Sequence, residues 1–209
     1  MIDVQNAMKK LGASPTAEVF GQDFYSVPTI YDSTTGKVVN DSQIILGYLE
    51  TQYPDLPSLF PPNSRALQTA FIELQFNKWI RILYPLLCAK LYENCTPESS
   101  RVYFKTSRSA YFNKDWELLQ AKGEERDLLI QEFLQALGEL TRWVEQNGKD
   151  ALFLTGSTVS NADVHIAAVL IWIKRVAGTE SDIWKAVAAA NDGRWMTFMD
   201  SFEKYTVVY

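Results

Sequence analysis

The sequence predicts an α+β protein in which helix predominates, and three observations predict it. Two short apolar runs, 27–31 and 37–39, flank the turn-rich Asp32-Ser33-Thr34-Thr35-Gly36, and a polar Asn40-Asp41-Ser42 then opens an apolar-periodic segment. Residues 51–63, TQYPDLPSLFPPN, hold four prolines in thirteen positions, a density through which no helix continues. Beyond them, long segments carry apolar residues at helical spacing with no strand-like alternation.

Taken in order, Val4, Met8 and Leu11 stand at helical spacing before Gly12 and Pro15, so a short helix with a stop signal is expected over 1–14. In the next element Gly36 supplies the positive φ that a tight hairpin needs, and Asp, Ser and Thr around it favour local side-chain to backbone bonds. Ile44, Ile45, Tyr48 and Leu49 then recur at helical spacing, with Asp41 or Asn40 placed to accept bonds from the first unpaired amides. Strand, turn, strand and capped helix follow. After the proline-rich stretch, 64–94 sets Phe71, Leu74, Trp79, Ile82 and Leu86 on neighbouring faces of one long helix, with Pro85 predicting a bend.

Thr96-Pro97-Glu98 has the cap, the first-turn proline and the early acid of a helix running to about residue 112. The charged stretch 114–127 reads as a solvated connection, helical near its end. Residues 128–146 are strongly amphipathic, and Asn147-Gly148 ends them. Ser160 and Asp163 form a capping-box-like pair, with Val159 and Val164 at the two positions of a hydrophobic staple. Two last helices, 182–190 and 193–205, bring Trp184, Trp195, Phe198, Phe202 and Tyr205 to pack against the bundle.

Composition excludes several function classes. The 209 residues suffice for one large or two small cores, and a formal net charge of −5 with no basic cluster excludes general nucleic-acid affinity. No run approaches the ~20 apolar residues of a membrane span, and Met1-Ile2-Asp3 starts neither a basic nor an apolar signal, so a cytoplasmic protein is expected. Cys88 and Cys95 lie seven positions apart in a helical pattern, a rise of roughly 10 Å, which predicts two reduced thiols rather than a disulfide. His165, the only histidine, has no Cys or carboxylate at ligand spacing, so neither a metal site nor a triad is expected. Glu124, Glu125 and Asp127 read as a solvated helix start rather than an acid/base pair, and no phosphate-binding glycine loop is present.

VPTIYDSTTGKVVNDSQIILGYLETQYPD resembles the second half of the thioredoxin-like domain of cytosolic glutathione transferases: a strand with Val-Pro, a hairpin, a strand, an acidic-Ser helix start, then Tyr-Leu and Tyr-Pro. Phe153-Leu154-Thr155-Gly156, followed by Ser160-Asn161-Ala162-Asp163, resembles the capped core helix of that family's second domain. The two occur in the family's order and spacing and cover nearly the whole chain. Tyr-Ser-Val-Pro-Thr-Ile-Tyr-Asp, Leu-Phe-Pro-Pro in the linker and Phe-Leu-Thr-Gly look most like the fungal etherase-related, serine-type branch.

The resemblance implies a truncated thioredoxin-like, glutathione-binding domain over 1–53, a linker over 54–63 and an all-α bundle over 64–209. The family's first strand, helix and strand have no counterpart here, which would leave a two-stranded ribbon with an open edge. Three accounts are open: the helical domain carries it, another chain or a dimer partner covers it, or the sequence is a shortened form of a longer protein. In the family a Tyr, Ser or Cys on or just after that first strand steadies the glutathione thiolate. Ser14 and Tyr25 come too late to match it, so no catalytic residue is carried over.

By residue chemistry Pro28 belongs at a strand edge or break, and about one X-Pro bond in twenty is cis. The resemblance implies a cis bond that turns Val27 outward to pair with the cysteinyl part of glutathione. Asp41 reads by itself as a helix cap. The resemblance adds that Asp41 and Ser42 hold the γ-glutamyl end. Phe76, Ile80 and Leu83 stand at i, i+4 and i+7, a spacing usually found in cores. In the family, this part of the helix walls the pocket for the hydrophobic co-substrate, with Tyr84 as a further candidate.

The implied activity is attack of the glutathione thiolate on hydrophobic or aromatic electrophiles, as in xenobiotic detoxification, by a cytoplasmic homodimer that needs glutathione but no cofactor or metal. Two alternatives stay open: a protein that holds glutathione or phenolic ligands without turnover, and a transferase-like structural or regulatory module.

Overall fold

A computed structural model of the chain describes residues 2–19 and 21–206. Met1, where the sequence places the start of the first helix, lies outside the described residues. The chain divides into two compact units, Met1–Ser58 with Cys95–Ser107, and Leu59–Asn94 with Arg108–Tyr209.

In the first unit, α1 (Ile2–Lys10) stops just before Gly12, whose φ of +75° suits a residue without a Cβ. Two antiparallel hairpins follow, β1 (Ala17–Val19) with β2 (Gln22–Phe24) and β3 (Thr29–Asp32) with β4 (Lys37–Asn40), each a separate two-stranded sheet. Sequence reading missed the first hairpin because strands of three residues are too short to display alternation. It anticipated the second, in which Asp32 faces Lys37 across the turn and Thr29 faces Asn40.

α2 (Ser42–Gln52) is capped by Asp41, whose Oδ1 accepts from Gln43 N at 3.0 Å and Ile44 N at 3.3 Å. Of its expected apolar stripe Ile45 is buried, whereas Ile44 and Leu49 are exposed. Met8, Ala13 and Tyr25 form a small core, with Val4 and Val38 packed against it. The Gln5 amide pairs with both backbone groups of Tyr25, Nε2 donating to the carbonyl at 2.8 Å and Oε1 accepting from N at 2.9 Å. A side chain thereby occupies the place of a strand partner.

The second unit is built on α3 (Arg65–Glu93), a helix of 29 residues with Pro85 inside it. α4 (Glu98–Phe112) contributes to both units. α5 (Trp116–Leu119), α6 (Gly123–Val144), α7 (Asn161–Ala177), α8 (Asp182–Ala189) and α9 (Arg194–Asp200) complete the bundle. Trp79, Leu83 and Leu87 of α3, Phe133, Leu137 and Leu140 of α6, and Ile166, Leu170 and Ile173 of α7 meet in its core.

The stretch 114–127 is not a plain solvated connection. Trp116 and Leu119 are buried, Trp116 stacks on Tyr92 at 5.2 Å between ring centroids, and α6 begins at Gly123. Ala121 is buried as well, so charge density concealed a three-residue apolar anchor. Two further apolar residues depart from expectation, since Leu74 and Tyr205 are both 72% exposed.

The start of α7 is where the second unit is tied together. The Asp163 carboxylate accepts from Leu154 N at 2.9 Å, Ser160 N at 2.9 Å and Ser160 Oγ at 2.6 Å. Asn161 N donates to the Leu59 carbonyl and Ala162 N to Gln68 Oε1, both at 3.0 Å. The orphan amides of a buried helix start are thus paired. Val159 packs against the core, and Val164 lies more than a third exposed.

Burial raises the Asp163 pKa, opposed by the bonds from Leu154 and Ser160. Asp163→Ala would strand these donors in a dry site, so a stability loss of about 3 kcal/mol is expected, read as a lower urea midpoint by tryptophan fluorescence.

Candidate functional site

The hairpin of the first unit gathers Val27, Pro28, Asp41 and Ser42, the four residues the sequence offers for glutathione, at one end. The Val27-Pro28 bond is cis, and Asp41 N donates to the Pro28 carbonyl at 3.0 Å, just beyond the Thr29–Asn40 pair. Val27 is 58% exposed, and among the described residues neither its N–H nor its carbonyl has a partner. Ser42 is exposed and its hydroxyl is equally unengaged. Asp41 spends only Oδ1 on the cap.

The arrangement therefore presents an extended backbone donor and acceptor, a hydroxyl and free amide at a helix start, and a spare carboxylate oxygen. A short peptide can pair with the first, a carboxylate suits the second, and an ammonium suits the third.

A neighbouring cluster escaped sequence reading altogether. Asp32 Oδ2 accepts from the Tyr48 hydroxyl and, at 2.9 Å, from the Tyr53 hydroxyl, while Oδ1 accepts from Thr34 N at 2.8 Å. Thr35 Oγ1 lies 2.6 Å from the Tyr48 oxygen, and Lys37 Nζ sits 5.6 Å above the Tyr48 ring. The Tyr48 bond above all, joined by those from Tyr53, Thr34 and Thr35, holds the Asp32 carboxyl well below the usual carboxylate range. Burial, then the charge and hydrogen bond of Asp32, push the Tyr48 hydroxyl up. In the sequence Asp32 is an ordinary turn residue, and Tyr48 an ordinary member of an apolar stripe.

In the second unit, Phe76, Trp79, Ile80 and Leu83 of α3 and Val169 and Trp172 of α7 line a hollow of about 240 Å3. Three of the four pocket candidates thus share one surface. Tyr84 is not among the lining residues: it is buried, its hydroxyl accepts from Arg108 Nε at 2.7 Å, and its ring lies 4.9 Å from Phe112. The contribution of α7 was invisible beforehand because it depends on which helix packs on α3.

His165 stands one turn before Val169 on α7, its ring edge-on to Phe76 at 5.7 Å. Its Nε2 and the Trp79 Nε1 are buried without a hydrogen-bond partner, and burial lowers the His165 pKa. Both cysteines are free, and burial pushes the Cys88 thiol up to about 11, which removes it as a nucleophile at neutral pH. Among the described residues no cluster of three His, Cys, Asp or Glu is arranged to hold a metal ion, and no helix is long and apolar enough to cross a membrane.

Residues 66–205 match the family model described as glutathione S-transferase, C-terminal domain. Among solved structures, the chain is similar to the glutathione transferase GSTFuA3 from Phanerochaete chrysosporium, with 31% identity and a TM-score of 0.89. It is also similar to GSTFuA2 from the same organism, at 34% and 0.84, and to a glutathione S-transferase of Ceriporiopsis subvermispora in complex with glutathione, at 32% and 0.90. In each case the likeness covers 100% of this chain and 82% of the other. A search of curated proteins finds no match.

A histidine whose folded pKa lies below its unfolded value near 6.5 binds more protons when unfolded, so it lowers stability as pH falls through 6.5 toward the folded value. Urea midpoints at pH 7.5 and 5.5 are expected to differ more in the natural protein than in His165→Phe, which has no proton to take up.

Proposed function

Because this chain belongs to the glutathione transferase family, we propose that it binds glutathione at the Val27–Ser42 end of the hairpin and transfers it to a hydrophobic electrophile. The observation that carries this reading is the set of unengaged groups there. The Val27 N–H and carbonyl pair with the cysteinyl backbone, the Ser42 hydroxyl and amide hold the γ-glutamyl carboxylate, and the free oxygen of Asp41 holds its ammonium. The thiolate sulfur then bonds to the electrophilic carbon of the acceptor, the leaving group departs with its electron pair, and the thiol proton goes to solvent.

The apolar lining of Phe76, Ile80 and Leu83 suits an aromatic acceptor. The reading extends to the fungal etherase-related, serine-type branch, in keeping with the two fungal sources of the similar structures, and to a cytoplasmic homodimer acting on xenobiotics. Residues 1–53 are then part of a thioredoxin-like domain.

A second reading, capture of glutathione or phenolic ligands without turnover, draws on one feature of the same site. All four residues act on the tripeptide's backbone and γ-glutamyl end, and none on its sulfur. Retention on glutathione-agarose together with conjugation of a chromogenic aromatic electrophile is the outcome expected for a transferase. Retention without conjugation selects the binding protein, and neither activity, with a stable dimer by light scattering, selects a structural module. Calorimetric titration of Ser42→Ala should give a dissociation constant for glutathione about fivefold weaker with the fold intact. Unchanged affinity removes Ser42 from the site.

A further inference from the structure

The hydrogen-bond cluster at the other end of the hairpin has no part in the recognition chemistry just described, yet it bears on where that chemistry is presented. α2 is fastened to the hairpin at two places. One is its start, where Asp41 follows β4 directly and its N bonds the Pro28 carbonyl at 3.0 Å. The other is the turn, where Asp32 accepts from Tyr48 within α2 and from Tyr53 at its C-cap. Tyr48 lies seven residues beyond Asp41, so the second fastening is ~10 Å along the helix axis from the first. Between them only Ile45 of α2 is buried, so apolar packing does little to hold the helix direction.

We propose that Asp32 is a positioning residue for the glutathione site: by holding Tyr48 and Tyr53 at the turn, it fixes the direction in which α2 presents Ser42 and Asp41 beside Val27-Pro28. The inference rests on the reading of that end as a glutathione site. Asp32 touches no ligand. With both tyrosines released, α2 samples several directions about its start, and the apparent affinity falls in proportion to the fraction of chains that keep the productive one. The clamp stays ionised throughout the neutral range, since its hydrogen bonds hold the Asp32 carboxyl far below it. Thr34 N bonds the other carboxylate oxygen from within the turn, and Thr35 Oγ1 reaches the Tyr48 hydroxyl, so the turn itself steadies both partners of the clamp.

The test is a double-mutant cycle read by calorimetric titration with glutathione. Asp32→Ala should weaken binding about tenfold in the natural background and only about threefold in Ser42→Ala, because a misdirected helix start costs less once one of its two ligand groups is gone. General loss of structure would lower affinity equally in both backgrounds, and that result, or an unchanged affinity in Asp32→Ala, overturns the proposal. Tyr53→Phe, which removes one hydroxyl and keeps the ring, provides the same comparison at about threefold if Asp32→Ala does not fold. No binding by the natural protein overturns the glutathione reading and this inference together. Binding by the natural protein with no coupling to Ser42 overturns the inference alone.

Discussion

The second unit depends on one buried carboxylate. Asp163 is 1% exposed, a position in which an ionised side chain is costly unless every lone pair finds a donor. It finds three, from Leu154 N, Ser160 N and Ser160 Oγ, and so closes the 153–160 loop onto the first turn of α7. Gln68 reaches from α3 to Ala162 N, and Leu59 accepts from Asn161 N. A helix that places Ile166, Leu170 and Ile173 among the side chains of α3 and α6 must start at one defined residue, because a shift of one position would rotate its apolar face by 100° out of the core. The capping network sets that residue.

The first unit is held differently. Among the described residues the cluster that joins α1 to the hairpins is Met8, Ala13 and Tyr25, too small to define the directions of a helix and two hairpins, and directed polar bonds take over. Gln5 reads both backbone groups of Tyr25, Asn40 Nδ2 bonds the Ser14 carbonyl at 2.9 Å, and Asp32 gathers two tyrosines. Hydrogen bonds constrain angle where non-directional apolar contact does not. A small two-stranded ribbon with little to bury can thereby still present Val27, Pro28, Asp41 and Ser42 in a defined arrangement.

The two candidate surfaces divide chemistry along the same line. At the hairpin end the unengaged groups are polar and exposed, suited to a charged tripeptide. In the hollow on α3 and α7 the lining is aliphatic and aromatic, and the nearby polar atoms, Trp79 Nε1 and His165 Nε2, are enclosed.

The sequence by itself determined the elements whose causes are local. The hairpin at Gly36, the cap at Asp41, the long α3 and the Ser160–Asp163 box were all legible, because a turn needs a positive φ, a helix start needs an acceptor within three residues, and an amphipathic stripe repeats within a few turns. Tertiary structure alone decided what depends on residues far apart in the chain: that Asp32 at a turn would capture Tyr48 and Tyr53, that Trp116 inside a charged stretch would be buried against Tyr92, and that Val169 and Trp172 would complete the hollow begun by Phe76, Ile80 and Leu83. Such pairings are set by how elements pack in three dimensions, and a pattern along the chain carries no record of them until the chain is folded.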